Sequence, residues 1–182
     1  FMENNTIWDE MDAHLSKDFT LIKIDLPGHG KSKVYQEIHT VELMAEKVKE
    51  VIDALKLEKI NLLGHSLGGY VSLAFAEKFP EILESMTLFF STTVADDEEK
   101  KAIRRRSIAV IDENFETFVK TSIPNLFSNN EKDILEGKIE LAKNIAKSTN
   151  KEGVKAAQLG MAERPDRTEI LENLDAKILI IA

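Results

Sequence analysis

Apolar positions along the chain recur with helical spacing in some stretches and cluster in strand-sized runs in others. Residues 4–15 place Ile7, Met11 and Leu15 at helical spacing, which predicts a short amphipathic helix. Residues 19–24 form a compact apolar run that predicts a strand. The Gly- and Pro-rich residues 25–32 predict a turn after it. Val41, Met44, Val48, Val51, Ile52 and Leu55 then make one apolar stripe on a helix over about residues 41–56. Thr40 is placed to cap that helix, with Glu42 in its first turn. A second strand is predicted over 59–63. A helix runs from the glycine-rich stretch that follows to about Lys78, and Pro80 closes that unit. Residues 85–91 predict a third strand. Strands and helices in this alternation imply βαβ units and a mostly parallel sheet, an α/β fold.

The alternation stops after residue 91. Residues 94–162 show only helical patterns, with breaks near Asp112, Pro124, Asn129-Asn130, Asn150 and Gly160. Several helices in a row between strands predict a helical cap over the sheet. Residues 177–182 return to a strand. The expected division is a core over 1–91, a cap or lid over 92–168, and a return to the core over 169–182. Charge follows the same division. The net charge is −8, yet residues 92–168 hold 14 basic and 14 acidic side chains. The whole acidic excess therefore lies in the flanking core segments.

That acidity argues against a nucleic-acid partner. The apolar runs are strand-sized, which argues against a membrane span. The absence of cysteine excludes disulfides, thiol nucleophiles and thiolate metal sites. It fits a reducing, cytoplasmic compartment. No secretory leader pattern opens the chain.

One motif carries chemistry. Gly64-His65-Ser66-Leu67-Gly68 fits G-x-S-x-G and is extended by Gly69. It lies between a predicted strand and a predicted helix, the context that pattern requires. A serine on such a sharp turn has strained backbone and an outward hydroxyl. Flanking glycines are expected because a Cβ there would meet neighbouring backbone. The N–H of Leu67 lies at a helix N-terminus, where positive potential favours a developing oxyanion. Ser66 is therefore the candidate nucleophile and Leu67 N–H the first oxyanion donor. Two phosphate-binding patterns fail. Ser66 stands where G-x-G-x-x-G needs glycine, and Asp25 stands where a P-loop ending in Gly30-Lys31-Ser32 needs one.

Asp25-Leu26-Pro27-Gly28-His29-Gly30-Lys31-Ser32, followed by Gly64-His65-Ser66-Leu67-Gly68-Gly69, resembles the α/β-hydrolase superfamily. The similarity is to its small bacterial esterase, lactonase and C–C hydrolase branch. It covers nearly the whole chain and is weakest over 92–167, where family lids diverge. The resemblance implies a His-Gly pair just before Phe1, with Phe1 N–H as second oxyanion donor. Trp8 matches a frequent aromatic of the next helix. Residues 177–182 resemble the strand before the catalytic acid. That acid is expected in a Gly-x-x-Asp immediately after Ala182, and the catalytic histidine later. On this reading the chain is cut at both ends, and residues 1–182 alone are expected to be poorly soluble and inactive.

His14, His29, His39 and His65 all precede or adjoin the nucleophile, so none fits the family order for the base. His29 reads as structural at the site mouth, and His65 as packed beside the turn. No two histidines have zinc-ligand spacing, and no cofactor is implied. Asp96 and Asp97 read as helix-start acids, with a catalytic acid as the lesser reading. Arg104-Arg105-Arg106 reads as a solvated face paired with Glu98 and Glu99, or as a lid site for a substrate carboxylate. Phe115, Phe118, Leu126, Phe127 and Met161 read mostly as the cap's own small core, with an acyl pocket as the alternative.

The expected function is hydrolysis of a small-molecule ester or lactone through an acyl-enzyme on Ser66. C–C bond hydrolysis of a carboxylate substrate is one alternative. A non-catalytic ligand-binding protein with the same fold is the other.

Overall fold

The computed structural model describes all of residues 1–182. Three parallel strands form one sheet in the order β1 (Ile60–His65), β2 (Leu83–Phe89), β3 (Lys177–Ile181). Gly64 stands opposite Leu88, and Phe89 opposite Ile181. Seven α-helices accompany the sheet: α1 (Asp9–Leu15), α2 (Val41–Ala54), α3 (Leu67–Lys78), α4 (Glu98–Ser122), α5 (Glu136–Ser148), α6 (Lys151–Glu163) and α7 (Thr168–Asn173). None is long and apolar enough to cross a membrane.

The main core forms where α2 and α3 meet the sheet. The predicted stripe of α2 is buried at Val41, Met44, Val48 and Ile52. Thr40 caps the helix, its hydroxyl accepting from Leu43 N–H at 3.1 Å. Val71, Leu73 and Phe75 of α3 and Leu83, Met86 and Leu88 of β2 complete the contact. Burying each such side chain contributes roughly 1.5–3 kcal/mol.

One predicted strand is absent. Residues 20–26 carry no strand pairing and run as unpaired chain. Strand propensity alone does not make a strand; the backbone groups need a ladder partner. A cleft of about 150 Å³ lies between this segment and β1, with Ile22, Ile24 and Leu26 on one wall and Leu62, Leu63 and Gly64 on the other.

Residues between β2 and β3 are helical, as expected. Asp97 caps α4, accepting from Lys100 N–H at 2.7 Å. The predicted break near Asp112 falls at Asn114, whose backbone leaves the helical region and whose side chain caps the second half through Thr117 N–H at 2.9 Å. Asn150 caps α6. Gly160 is not a break. It lies inside α6, where an added Cβ would stand 1.8 Å from the carbonyl oxygen of His39. The glycine permits close approach of α6 to the 25–39 loop. His39 N–H donates to Ala156 O there at 3.0 Å. Gly28 and Gly153 make a second backbone-to-backbone contact across the same junction.

A smaller core of Ile111, Phe118, Val119, Ile123, Ala146, Val154 and Met2 lies among these helices, with Phe115 and Phe127 against it. Met161 belongs instead to the main core, and Leu126 is exposed.

Candidate active site

The turn between β1 and α3 is built by steric necessity. Ser66 has φ 49° and ψ −112°, a sparsely populated conformation that costs on the order of 1–3 kcal/mol. Its backbone is held on both sides. Ser66 N–H donates to Phe89 O at 3.0 Å, and Ser66 O accepts from Gly69 N–H and Ser91 Oγ, both at 2.9 Å. A Cβ on Gly64 would stand 2.4 Å from Gly68 O, and one on Gly69 would stand 2.3 Å from Ser91 Oγ. Gly68 differs from expectation, since nothing lies within 4 Å of its Cβ position. It lines the cleft.

The Ser66 side chain makes no capping bond to α3, although Ser66 occupies the cap position. Its hydroxyl is therefore left for other partners. Leu67 is buried and opens α3. Its N–H has no acceptor within the helix and lies at the positive end of the helix dipole.

The segment before α1 packs beside this turn. His65 Nδ1 meets Glu3 Oε2 at 3.0 Å. Trp8 packs edge-on to His65, and Phe89 lies against the same ring. Burial pushes the Glu3 carboxyl up, but the hydrogen bond from His65 and nearby positive charge outweigh that and hold it below the usual range. Phe1 packs edge-on to His29, and its backbone nitrogen lies 3.8 Å from Glu3.

The 25–32 loop explains its own motif. The Asp25 carboxylate accepts from Asn5 N–H at 2.7 Å and Lys31 N–H at 2.9 Å, and Ser32 Oγ donates to Asp25 O at 2.7 Å. Gly30, at φ 52°, has no room for a Cβ beside that carboxylate. His29 is buried, with Nδ1 3.1 Å from Pro27 O and Nε2 unpartnered. Burial is the main cause that lowers its pKa to about 4. His39 is also buried and held low by desolvation; its Nε2 accepts from Tyr35 N–H at 3.1 Å.

No histidine side chain is hydrogen-bonded to Ser66. His29 and His39 address Pro27 O, His65 addresses Glu3, and His14 ends the exposed α1. Asp96 is not free for catalysis either. It is buried between Arg104 and Arg164, the latter at 2.9 Å, and both guanidinium groups hold it below its usual range despite burial. Arg164 also stacks 3.9 Å over the Tyr70 ring. The expectation that Arg104 pairs with Glu98 or Glu99 on a solvated face is corrected: Arg104 turns inward to Asp96 and Gln158, and only Arg105 and Arg106 are exposed. A helical period of 3.6 places only one of three consecutive residues on the inner face.

Sequence reasoning missed the partners of Glu3, beside the serine turn, and of Asp96. Their partners lie 62 positions away for Glu3, and 8 and 68 away for Asp96, with no motif linking them.

Residues 1–134 match the alpha/beta hydrolase fold family, and the chain belongs to it. Among solved structures, a thermophilic esterase from Thermogutta terrifontis, determined with malate bound, is 35% identical, with a TM-score of 0.93 over 99% of this chain and 67% of that one. A Bacillus subtilis protein provisionally named as a 2-succinyl-6-hydroxy-2,4-cyclohexadiene-1-carboxylate synthase is 28% identical over all of this chain and 69% of its own length. An uncharacterized Mycobacterium tuberculosis protein is 34% identical over 95 residues, and the match spans 28% of that relative's length.

Proposed function

We propose that the protein is a serine hydrolase of small-molecule carboxylic esters, lactones included as cyclic esters, with Ser66 as nucleophile. The observation that carries this reading is the strained, uncapped Ser66 at the N-terminus of α3. Family membership and the likeness to an esterase support it.

In the proposed reaction Ser66 Oγ attacks the ester carbonyl and its proton passes to a histidine supplied from outside residues 1–182. The carbonyl oxygen becomes an oxyanion received by the N–H groups of Leu67 and Phe1. Collapse expels the alcohol, which takes the proton from the histidine. Water then attacks the acyl-enzyme by the same route and releases the acid. The helices of residues 92–168 act as a cap that limits substrate size and excludes bulk water. The C–C bond reading has less support, because Arg104 is already committed to Asp96.

The test is intact-mass analysis of the full chain with a fluorophosphonate probe. One adduct is expected on the unmodified protein and none on Ser66→Ala. Ester turnover should fall by about 10⁴-fold or more in that variant. An adduct that persists in Ser66→Ala, or no adduct on the unmodified chain, overturns the assignment.

A further inference from the structure

The Glu3–His65 pair lies half-buried beside the serine turn. The His65 ring is flanked by Trp8 at 6.4 Å and Phe89 at 5.6 Å between ring centres. Glu3 follows Met2, which is buried at 2% exposure. With side chains 30% and 25% exposed, such a pair adds at most ~1 kcal/mol, so stability alone does not account for it. A charge-assisted hydrogen bond differs from an apolar contact in being directional and short-ranged.

That direction has a structural consequence. His65 is the last residue of β1, locked to Phe89 across the sheet and joined by one peptide bond to Ser66. Glu3 belongs to the turn of residues 1–4. The far end of that turn is fixed by Asn5 N–H on Asp25. Met2 sits at φ 58°, so the turn is bent within two residues of Glu3. The turn therefore has two anchors, one on the 25–32 loop and one on the residue next to the serine. Resting on the hydrolytic reading above, we infer that Glu3 and His65 are positioning residues that set the spacing between the Phe1 backbone and Ser66–Leu67. The tie fixes the width of the oxyanion site without touching substrate.

The titratable side chains facing Glu3 are His65 and His29. Removing the carboxylate leaves the turn held at one end. The oxyanion donor on the turn then loses alignment, while the serine keeps its strained backbone from Gly64 and Gly69.

The experiment uses the full chain and a double-mutant cycle of Glu3→Ala, His65→Ala and both together. Two quantities are read: affinity for a trifluoromethyl ketone, which forms a tetrahedral oxyanion on the serine, and KM for the matching ester. Each single variant should lose about 10²-fold in ketone affinity, the scale of one oxyanion donor, with KM changed less than about threefold. The double variant should lose no more than either single one. Glu3→Gln, which keeps a hydrogen bond to His65, should recover part of the loss. Equal losses in ketone affinity and KM, losses that add, or a lowered melting temperature with ketone affinity intact would each overturn the inference. If the unmodified chain takes up neither the ketone nor a fluorophosphonate, the hydrolytic reading fails and this inference with it. If it takes up both and the variants match it, only the tie is refuted.

Discussion

At the β1–α3 turn there is no space for side chains: a Cβ on Gly64 would stand 2.4 Å from the Gly68 carbonyl oxygen and one on Gly69 2.3 Å from Ser91 Oγ, and the serine between them is bent into a strained conformation. Along the helical segment between β2 and β3 the constraint is of another kind. Its smaller core takes six buried residues from the segment plus Met2, against 17 in the main cluster, and charges fasten it to the rest of the molecule. Asp96 joins α4 to the end of α6 through Arg104 and Arg164. Arg167 reaches back to Glu42 on α2 and Glu77 on α3, at 2.5 and 2.9 Å. The turn is held by shape, which tolerates almost no change. The helical segment is held by charge pairs and two glycine contacts, which respond to pH and to loss of a partner.

The sharpest way to break this contrast is a single methyl group. Gly64→Ala should cost more than ~4 kcal/mol, because its Cβ meets the Gly68 carbonyl, backbone that cannot yield, as well as Ser72 Oγ. Gly68→Ala, in open space four residues on, should stay within ~0.5 kcal/mol. Urea midpoints of the two variants provide the measurement, and similar losses would show that shape does not govern the turn.

Asp96→Ala should come next, at about 3 kcal/mol, since it leaves the buried Arg164 and the largely buried Arg104 without their shared carboxylate. Hydrogen exchange should place the loosening in α4 and α6 and leave α3 protected. Uniform loosening of both regions would erase the distinction.

An effect of comparable size, spread over pH, is acid sensitivity in the 25–39 loop that packs on α6. His29 is buried and neutral, with its pKa lowered from 6.5 to about 4. Between these values the unfolded chain binds a proton that the native chain does not. The His29 contribution is therefore complete above pH 6.5 and is lost as pH falls through about 4. Its slope reaches at most ~1.4 kcal/mol per pH unit. His39 is lowered for the same reason and acts in the same direction. Urea midpoints measured from pH 7 to pH 4 should fall more steeply for the unmodified chain than for His29→Gln.

Much of the core was legible because its signals are local. The α2 stripe, the Thr40 cap, Asp97 at a helix start, the break at Asn150 and the strand–Gly-x-Ser-x-Gly–helix order each depend on residues a few positions apart. The helical segment was legible as helical for the same reason, with its Asn114 kink displaced by two residues from Asp112. Residues 19–24 misled because an apolar run reports burial, whereas a strand also requires a neighbour for its backbone. Gly160 misled because glycine marks either a helix end or a close approach, and the difference depends on what lies opposite.

Local chemistry along the chain thus determined the elements, their caps and the strained serine turn, since steric and hydrogen-bond rules within a few residues suffice for each. Three-dimensional packing decided which charges meet and which glycines are indispensable. The Glu3–His65 tie, the Asp96–Arg164 pair and the Gly28–Gly153 contact all join residues far apart in sequence. Contacts of that kind depend on distances between elements, and no local rule in the chain fixes those distances.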